Sequence, residues 1–372
     1  MVYALSFFYF FYFALVGVYV IFMPKALLSF GYSEADVGII FAAAPFMRFL
    51  IPFLFKKYFV LNNAVFVNSL IITFIGTILI YFWVSDFWLY LLANLIFGGA
   101  MGIVLPYIES VALANIPKER YGKVRLYGSI GFMVIALWLG KVLIDFGDVF
   151  YYLGASAFFT MLTGYWAGRY DQHNQQAESK ELNASFSIME HKYFWISVFL
   201  MQLAFGGFYN FFTIYETSHG ISLEMTSWMW SFGVICEIVM LYFQGPLLQK
   251  NLLTILKFSI FVTAIRWMML YLYPSSEIVA FASQSLHAFS FALYHTASIT
   301  YIFMLYTQKR LAQQFFLGIA FGLGGSIGAL LAGQIYGEYI FLIESIITFV
   351  AFGVLFLHKD KKASKATPTK GF

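Results

Sequence analysis

One glutamate, Glu237, lies near the middle of a long apolar run that extends from Gly220 to Gly245. A run of this length is typical of a membrane-spanning helix, where a carboxylate costs a few kcal/mol and is rarely accidental. The separation in sequence between Gly220 and Glu237 is the same as that between Gly31 and Arg48 in the second apolar run. Each half of the sequence therefore carries one intramembrane charge at a matching place, and the two charges have opposite signs.

Two further ionisable residues are predicted to lie beside Glu237. The rise per residue of an α-helix gives the depth of each residue below the outer edge of its own apolar run. The depth is about 16 Å for Glu237, about 14 Å for His287 and about 10 Å for Arg266. An arginine keeps a nearby acid ionised, and its withdrawal lets the acid take a proton, so this cluster is typical of a proton-coupling site. A static ion pair with a satisfied histidine is the alternative. His295 is a candidate second relay position, or a core histidine bonded to a backbone carbonyl.

Arg48 has no acid at its depth in its own half of the sequence. It either pairs with an acid of the other half or receives a negatively charged substrate, and a guanidinium binds carboxylates well. We predict that it binds an anion. Further substrate-binding candidates are polar residues of the seventh apolar run and an aromatic ring of the first, with helix packing as the alternative. They are Gln202, Tyr209, Asn210 and Tyr12.

Glu109 and Arg125 lie at equal steps on either side of Pro117, in the hairpin between the fourth and fifth apolar runs. They are therefore predicted to meet at one level near the cytoplasmic surface. The functional interpretation is a latch of an inner gate. The alternative is an interfacial salt bridge that contributes under about 1 kcal/mol.

The composition places the chain in a membrane. Of its residues 61% are hydrophobic and 11% are charged, whereas soluble domains carry about a quarter charged residues. Long apolar runs separated by short polar gaps are typical of helices rather than of a barrel. We predict an all-α membrane protein with twelve transmembrane helices in two pseudo-symmetric six-helix bundles. The predicted helices span roughly 4–28, 36–55, 63–84, 87–112, 123–144, 148–168, 193–216, 223–247, 252–272, 277–304, 312–336 and 338–357.

Several classes of protein are excluded by the same composition. The net charge of +4 does not predict a nucleic-acid partner, because the basic residues fall in loops. Cys236 is the lone cysteine, so an intrachain disulfide is excluded. No metal or other cofactor is expected, since a spacing such as His-Glu-x-x-His is absent from the sequence. The first apolar run lacks a basic leader and a cleavage site, so it is expected to be retained.

Lysine and arginine concentrate in alternate loops, which predicts that both termini are cytoplasmic. The predicted domains are an N-terminal bundle at roughly 1–168, a cytoplasmic linker at 169–192, a C-terminal bundle at 193–358 and a disordered cytoplasmic tail at 359–372. The expected location is the inner (cytoplasmic) membrane of the cell. Gly128-Ser129-Ile130-Gly131 recurs as Gly325-Ser326-Ile327-Gly328, which supports a repeat of two halves. Parallel six-helix repeats are typical of transporters.

Twelve helices in two six-helix halves resemble the major facilitator superfamily. The segment from Tyr121 to Ser129, together with Arg48-Phe49-Leu50, Glu237, Arg266-Trp267 and Leu286-His287, is similar to the phenylpropionate permease family. That family is related to the lactose/proton symporters. The resemblance implies an aromatic carboxylic acid as the type of substrate, which suits Arg48.

The resemblance also implies a coupling acid on helix eight, an arginine on helix nine and a histidine on helix ten. Glu237, Arg266, and His287 or His295 occupy those helices in this sequence. One feature departs from the superfamily, whose Asp-Arg-x-Gly-Arg-Arg loop after helix two is reduced here to Lys56-Lys57. The departure shifts the expected stabilisation of the inner gate to Glu109 and Arg125.

The sequence therefore predicts a secondary active transporter, and not an enzyme, that imports a small organic acid with protons by alternating access. Its expected partners are a small-molecule substrate, protons and the lipid bilayer, and it is expected to act as a monomer. Uptake of a neutral sugar or nucleoside, with Arg48 paired internally, is the first alternative. A membrane-embedded enzyme that uses His287, His295 and Glu237, or a sensor that does not transport, are the others.

Overall fold

The computed structural model describes residues 1–58, 62–171 and 187–358, and this part of the chain is helical without strands. The helices are α1 (Val2–Ser29), α2 (Glu34–Tyr58), α3 (Asn63–Phe82), α4 (Phe87–Asn115), α5 (Lys118–Val142), α6 (Val149–Gly168), α7 (Met189–Ser218), α8 (Leu223–Phe243), α9 (Leu252–Leu272), α10 (Glu277–Leu305), α11 (Leu311–Ile335) and α12 (Ile340–Phe356). Among the described residues, nine helices are long and apolar enough to cross a membrane. The predicted fold class is confirmed.

Most helix ends agree with the predicted ranges within a few residues. The predicted end of α8 is interrupted: the helix ends at Phe243, and a separate helical turn, Gly245–Leu248, follows Gln244, because Pro246 has no N–H group to continue the first helix. The prediction was wrong for the start of α5, where the charged turn after Pro117 is already helical. Most of the predicted linker and all of the predicted tail lie outside the described residues, so the domain boundaries stay predictions.

The turns before α2 and α8 have the same backbone conformation. Gly31 has a φ of 88° and Gly220 a φ of 89°, a region that glycine enters without the steric cost that other residues have. Ser222 then begins α8 by accepting a hydrogen bond from the backbone N–H of Met225, a common form of helix cap. The matched glycines of the sequence therefore mark two equivalent turns.

The packing of helices repeats between the two halves. In the first half, α1 packs on α5 and α6, α4 packs on α2 and α3, and α3 packs on α6. In the second half, the same pairs recur, with α7 on α11 and α12, α10 on α8 and α9, and α9 on α12. The fold is thus two six-helix bundles of the same design, as the repeat in the sequence predicts.

The two bundles meet along α2 and α11, along α5 and α8, and along α1 and α7. We call the end of the molecule that holds Gly31 and Gly220 the first-turn end, and the opposite end the terminal end. A Cβ atom at Gly38 would lie 2.8 Å from the Cα of Gly333, so α2 and α11 cross in close contact. At the same end Lys25 donates a hydrogen bond of 2.5 Å to the hydroxyl of Thr217.

The bundles converge at the first-turn end and diverge towards the terminal end. The last part of α1, Met23–Ser29, packs on the second half of α7, Gly206–Ser218. The first part, Val2–Gly17, packs instead on α5 and α6 of its own bundle. A central space between the bundles therefore opens towards the terminal end, and we call it the central cavity.

Candidate functional site

Irregular turns interrupt four of the helices that surround the central cavity, and one of them is α1, at the π-helical segment Val18–Phe22. In α7, Ala204 and Phe205 form a turn between two helical segments. In α10, the π-helical segment Ala288–Leu293 follows His287 directly, and α11 contains the π-helical segment Leu317–Gly324. Such turns are frequent at functional sites because the extra residue redirects the side chains around it. The irregular turn of α10 thereby sets the direction of His287.

His287 lies between Arg266 and Glu237. Nδ1 of His287 is 3.0 Å from Nη1 of Arg266, and Nε2 is 3.8 Å from Oε2 of Glu237. The structure therefore brings together the three residues of the predicted coupling cluster. The described residues contain no direct ion pair between Glu237 and Arg266, because the imidazole occupies the space between the two groups.

The hydrogen bond from Arg266 fixes the tautomer of His287. A guanidinium only donates, so Nδ1 of the imidazole accepts, and the ring proton of the neutral form is on Nε2. This proton faces the carboxylate of Glu237, whose side chain is 20% exposed. A displacement of about 1 Å would turn the 3.8 Å contact into a hydrogen bond. The cluster can therefore change its bonding with little movement.

Arg266 is fully buried and its other hydrogen-bond partners are neutral. It donates to Gln284 at 2.8 Å and to Ser290 at 3.1 Å, and its guanidinium lies 4.2 Å from the centre of the Phe208 ring. Glu344 of α12 is within electrostatic range of it. Sequence reasoning missed Gln284 and Glu344. The signal for Glu344 was present, since it is an acid inside an apolar helix.

Arg48 is exposed in the middle of α2. It lies within electrostatic range of Tyr12 in its own bundle and of Tyr209 in the other bundle. The structure shows no hydrogen bond or ion pair between Arg48 and any residue that it describes. The sequence left two interpretations of Arg48, an ion pair within the protein or a site for an anionic substrate. The described part of the chain contains no such ion pair.

Tyr209 links the predicted site residues of the two bundles. It is half-buried on the second segment of α7 and lies within electrostatic range of Glu237, Arg266 and Arg48. Its ring stacks on Phe205 with 5.4 Å between centroids. Tyr12 is almost fully buried opposite, and its hydroxyl lies within electrostatic range of Arg48. These residues therefore surround one space, the central cavity.

Three other predicted site residues contact their immediate neighbours in the helix bundle. Gln202 is buried at the turn of α7, with its Cβ beside Gly324 of α11. Asn210 donates a hydrogen bond of 2.7 Å to the carbonyl of Gly206, one turn earlier. His295 is surrounded by three phenylalanine rings with centroids 5.5 to 6.1 Å away. Their roles in substrate binding and proton coupling stay predictions.

Glu109 and Arg125 form an ion pair, with Nε of Arg125 2.9 Å from Oε1 of Glu109. Tyr121 donates a hydrogen bond to the other oxygen of Glu109, and the guanidinium lies 4.1 Å from the centre of the Phe13 ring. Both charged residues belong to the first bundle, so the pair joins α4 to α5. Arg125 is also within electrostatic range of Glu237 in the second bundle. The gate role stays a prediction, and the side chains of Lys56 and Lys57 lie outside the described residues.

Comparison with known proteins shows that the sequence is similar to membrane transporters. The model of the MFS_1 like family matches residues 2–350. The chain is 25% identical over 361 residues to the "Probable 3-phenylpropionic acid transporter" of Escherichia coli, covering 92% of this chain and 94% of that protein. It is 23% identical over 348 residues to the transporter YwbF of Bacillus subtilis, covering 89% of this chain and 86% of that protein.

Solved structures with the same fold are also transporters. The nucleoside transporter NupG superposes with a TM-score of 0.79 at 18% identity, covering 96% of this chain and 99% of that one. A bacterial homologue of the lysosomal transporter Spinster superposes with a TM-score of 0.71 at 12% identity, covering 96% of this chain and 95% of that one. At these identities the similarity establishes the fold alone.

Proposed function

Because the chain belongs to the MFS_1-like family and is a multi-pass membrane transporter rather than an enzyme, we propose that it is a proton-coupled symporter for a small aromatic carboxylate. The observation that carries the proposal is Arg48, an exposed guanidinium beside the central cavity without an ion-pair partner among the described residues. When the cavity closes and removes water from this guanidinium, the charge requires a negative partner, and a carboxylate fits its two-pronged geometry.

The surroundings of Arg48 suit a substrate with an aromatic ring. Tyr12 and Tyr209 lie within electrostatic range of the guanidinium, one in each bundle. Aromatic side chains pack well against a ring in offset or edge-to-face arrangements. The name of the Escherichia coli relative, a probable 3-phenylpropionic acid transporter, supports this type of substrate, since 3-phenylpropionate carries one ring and one carboxylate.

The proton is assigned to Glu237. Its carboxylate faces Nε2–H of His287, and Arg266 holds the opposite edge of the ring. When Glu237 is protonated, the cluster has lost one negative charge, and the carboxylate of a substrate on Arg48 supplies one in its place. The cavity then contains the same net charge with proton and substrate as without either.

This balance gives a rule for alternating access. Closing the cavity around an uncompensated charge costs free energy, because the charge is moved out of water. The empty carrier and the fully loaded carrier hold the same net charge, so a fold that can close around one can close around the other, and these two forms reorient. A carrier that holds only the proton or only the substrate differs from both by one unit charge and stays open. The two bundles then rock about the central cavity as rigid bodies.

We further propose import across the inner (cytoplasmic) membrane by a monomer with both termini in the cytoplasm. The concentration of lysine and arginine in alternate loops supports this orientation. With that orientation, the terminal end of the molecule is cytoplasmic, and the central cavity described above opens inward.

The proposal is tested with purified protein in liposomes under an inward proton gradient. We expect uptake of 3-phenylpropionate, loss of uptake when a protonophore removes the gradient, and little uptake of 3-phenylpropanamide. The amide keeps the ring and the size of the acid but lacks its charge, so it is the matched control. Equal uptake of acid and amide, or uptake of a nucleoside or sugar in place of both, would overturn the assignment of Arg48.

A further inference from the structure

The turn in α7 leaves backbone donors without partners inside its own helix. Tyr209 donates its N–H to the carbonyl of Phe205, but the N–H groups of Gly207 and Phe208 have no carbonyl one turn earlier in a continuous helix. Buried N–H groups of this kind require another acceptor. The acceptor here comes from a different helix.

Glu344 of α12 supplies that acceptor. Its side chain is buried, with 3% exposure, and Oε1 accepts a short hydrogen bond from the N–H of Gly207. The backbone of Phe208 also interacts electrostatically with this carboxylate. A carboxylate at the first turn of a helix satisfies free donors and opposes the helix dipole. Glu344 therefore caps the second segment of α7, Gly206–Ser218, from outside the helix.

The space for this cap depends on the glycine at 207. A Cβ atom there would lie 2.6 Å from Oε1 and 2.8 Å from the carboxyl carbon of Glu344, so any larger residue would displace the carboxylate. Gly206 is equally tight on its other side, where a Cβ would lie 2.1 Å from the carbonyl oxygen of Gly328. The turn is thus held between α11 and α12.

The capped segment carries the residues that face the central cavity. Phe208 packs its ring on the guanidinium of Arg266, and Tyr209 lies within electrostatic range of Arg48 and Glu237. We propose that Glu344 is a positioning residue, which holds the second segment of α7 through the N–H group of Gly207 and so fixes Phe208 and Tyr209 in the site. Its role is mechanical and does not require Glu344 to exchange a proton.

Cysteine labelling tests this role without a transported substrate, so its result is independent of the function proposed above. Cys236→Ser removes the lone native thiol, and Tyr209→Cys places a reporter on the capped segment. The rate of reaction with a soluble maleimide is measured on the full-length protein in detergent. In this background we expect Glu344→Ala to raise the rate about tenfold, because loss of a helix cap favours local opening by about that factor.

Two variants separate capping from other effects. Glu344→Gln keeps a carbonyl oxygen that can accept the N–H group of Gly207, so we expect its rate within about twofold of the parent. Glu216→Ala removes another fully buried acid of the same segment, whose oxygens accept no side-chain hydrogen bond among the described residues, and should also stay within about twofold. An unchanged rate in Glu344→Ala, or an equal rise in Glu344→Gln or in Glu216→Ala, would overturn the proposal.

A second pair of variants applies if Glu344→Ala does not yield folded protein. Gly207→Ala leaves Glu344 in place but pushes its carboxylate away, and we expect it to raise the labelling rate as well. Gly353→Ala on α12 is the matched control, because a Cβ there meets nothing within 4 Å. Equal labelling rates in these two variants would contradict the proposed role of Glu344.

Discussion

The Nε2 atom of His287 lies 3.8 Å from the carboxylate of Glu237, too far for a hydrogen bond and close enough to form one after a small shift. On the other side of the ring, Arg266 holds Nδ1 at 3.0 Å. The imidazole is therefore fixed at one edge and free at the other. Protonation of Glu237 changes only the free edge, so it can alter the contact between α8 and α10 without disturbing Arg266.

Glu237→Gln is expected to abolish proton-driven accumulation while substrate exchange continues. The amide has nearly the shape of the protonated acid, so the carrier reorients with substrate in both directions but has no proton to bind or release. Accumulation under a pH gradient and exchange of labelled for unlabelled 3-phenylpropionate are measured in the same liposomes. Equal loss of both activities at a normal protein level would exclude Glu237 as the coupling residue.

Arg48→Ala is expected to weaken binding of the carboxylate by about 30-fold, which corresponds to the loss of one hydrogen-bonded charge pair of about 2 kcal/mol. Arg48→Lys keeps the charge but loses the two-pronged geometry, so its affinity should fall between the parent and Arg48→Ala. Binding is measured by calorimetry on purified protein. An unchanged affinity in Arg48→Ala would move the anion site elsewhere, with Arg125 as the next candidate to test.

His287 and His295 are expected to differ in their effect on coupling. His287→Phe should lower proton-driven uptake at least tenfold, because Arg266 loses an acceptor and Glu237 loses the ring that faces it. His295→Phe should keep most of the activity, since His295 already lies among three phenylalanine rings. The measurement is uptake under an inward proton gradient. The opposite order of the two variants would assign coupling to His295.

The fold was largely predictable because the bilayer limits how a chain can cross it. Apolar length alone gave the twelve helices, and the matched glycines at 31 and 220 identified equivalent turns before α2 and α8. The start of α5 and the end of α8 were less predictable. At α5, charged residues extend the helix beyond the apolar run, and at α8 a proline interrupts the helix within the apolar run. A hydropathy profile shows neither effect.

The site was only partly predictable from the sequence. Depth along a helix correctly grouped Glu237, Arg266 and His287, since that quantity depends only on residue number. Rotation about the helix axis decided the remaining contacts, and the irregular turns of α7 and α10 changed that rotation. The imidazole between Arg266 and Glu237 and the cap from Glu344 therefore became visible only in the structure.

The repeated Gly-Ser-Ile-Gly motif gives a prediction about stability. A Cβ at Gly131 would lie 2.0 Å from the carbonyl oxygen of Phe10, where α5 crosses α1. A Cβ at Gly328 would lie 2.4 Å from the carbonyl oxygen of Leu203, where α11 crosses α7. These are equivalent crossings of the two bundles. In both, the obstacle is backbone, which moves less easily than the end of a side chain.

Gly131→Ala and Gly328→Ala are therefore both expected to destabilise the protein by about 1–3 kcal/mol, because one extra methyl group must separate two packed helices. Gly154→Ala, whose Cβ meets nothing within 4 Å, is the control and should leave stability unchanged. Thermal unfolding of the three variants in one detergent is the measurement. A lower Tm for only one of the two motif glycines would mean that the bundles share the motif but not its packing role.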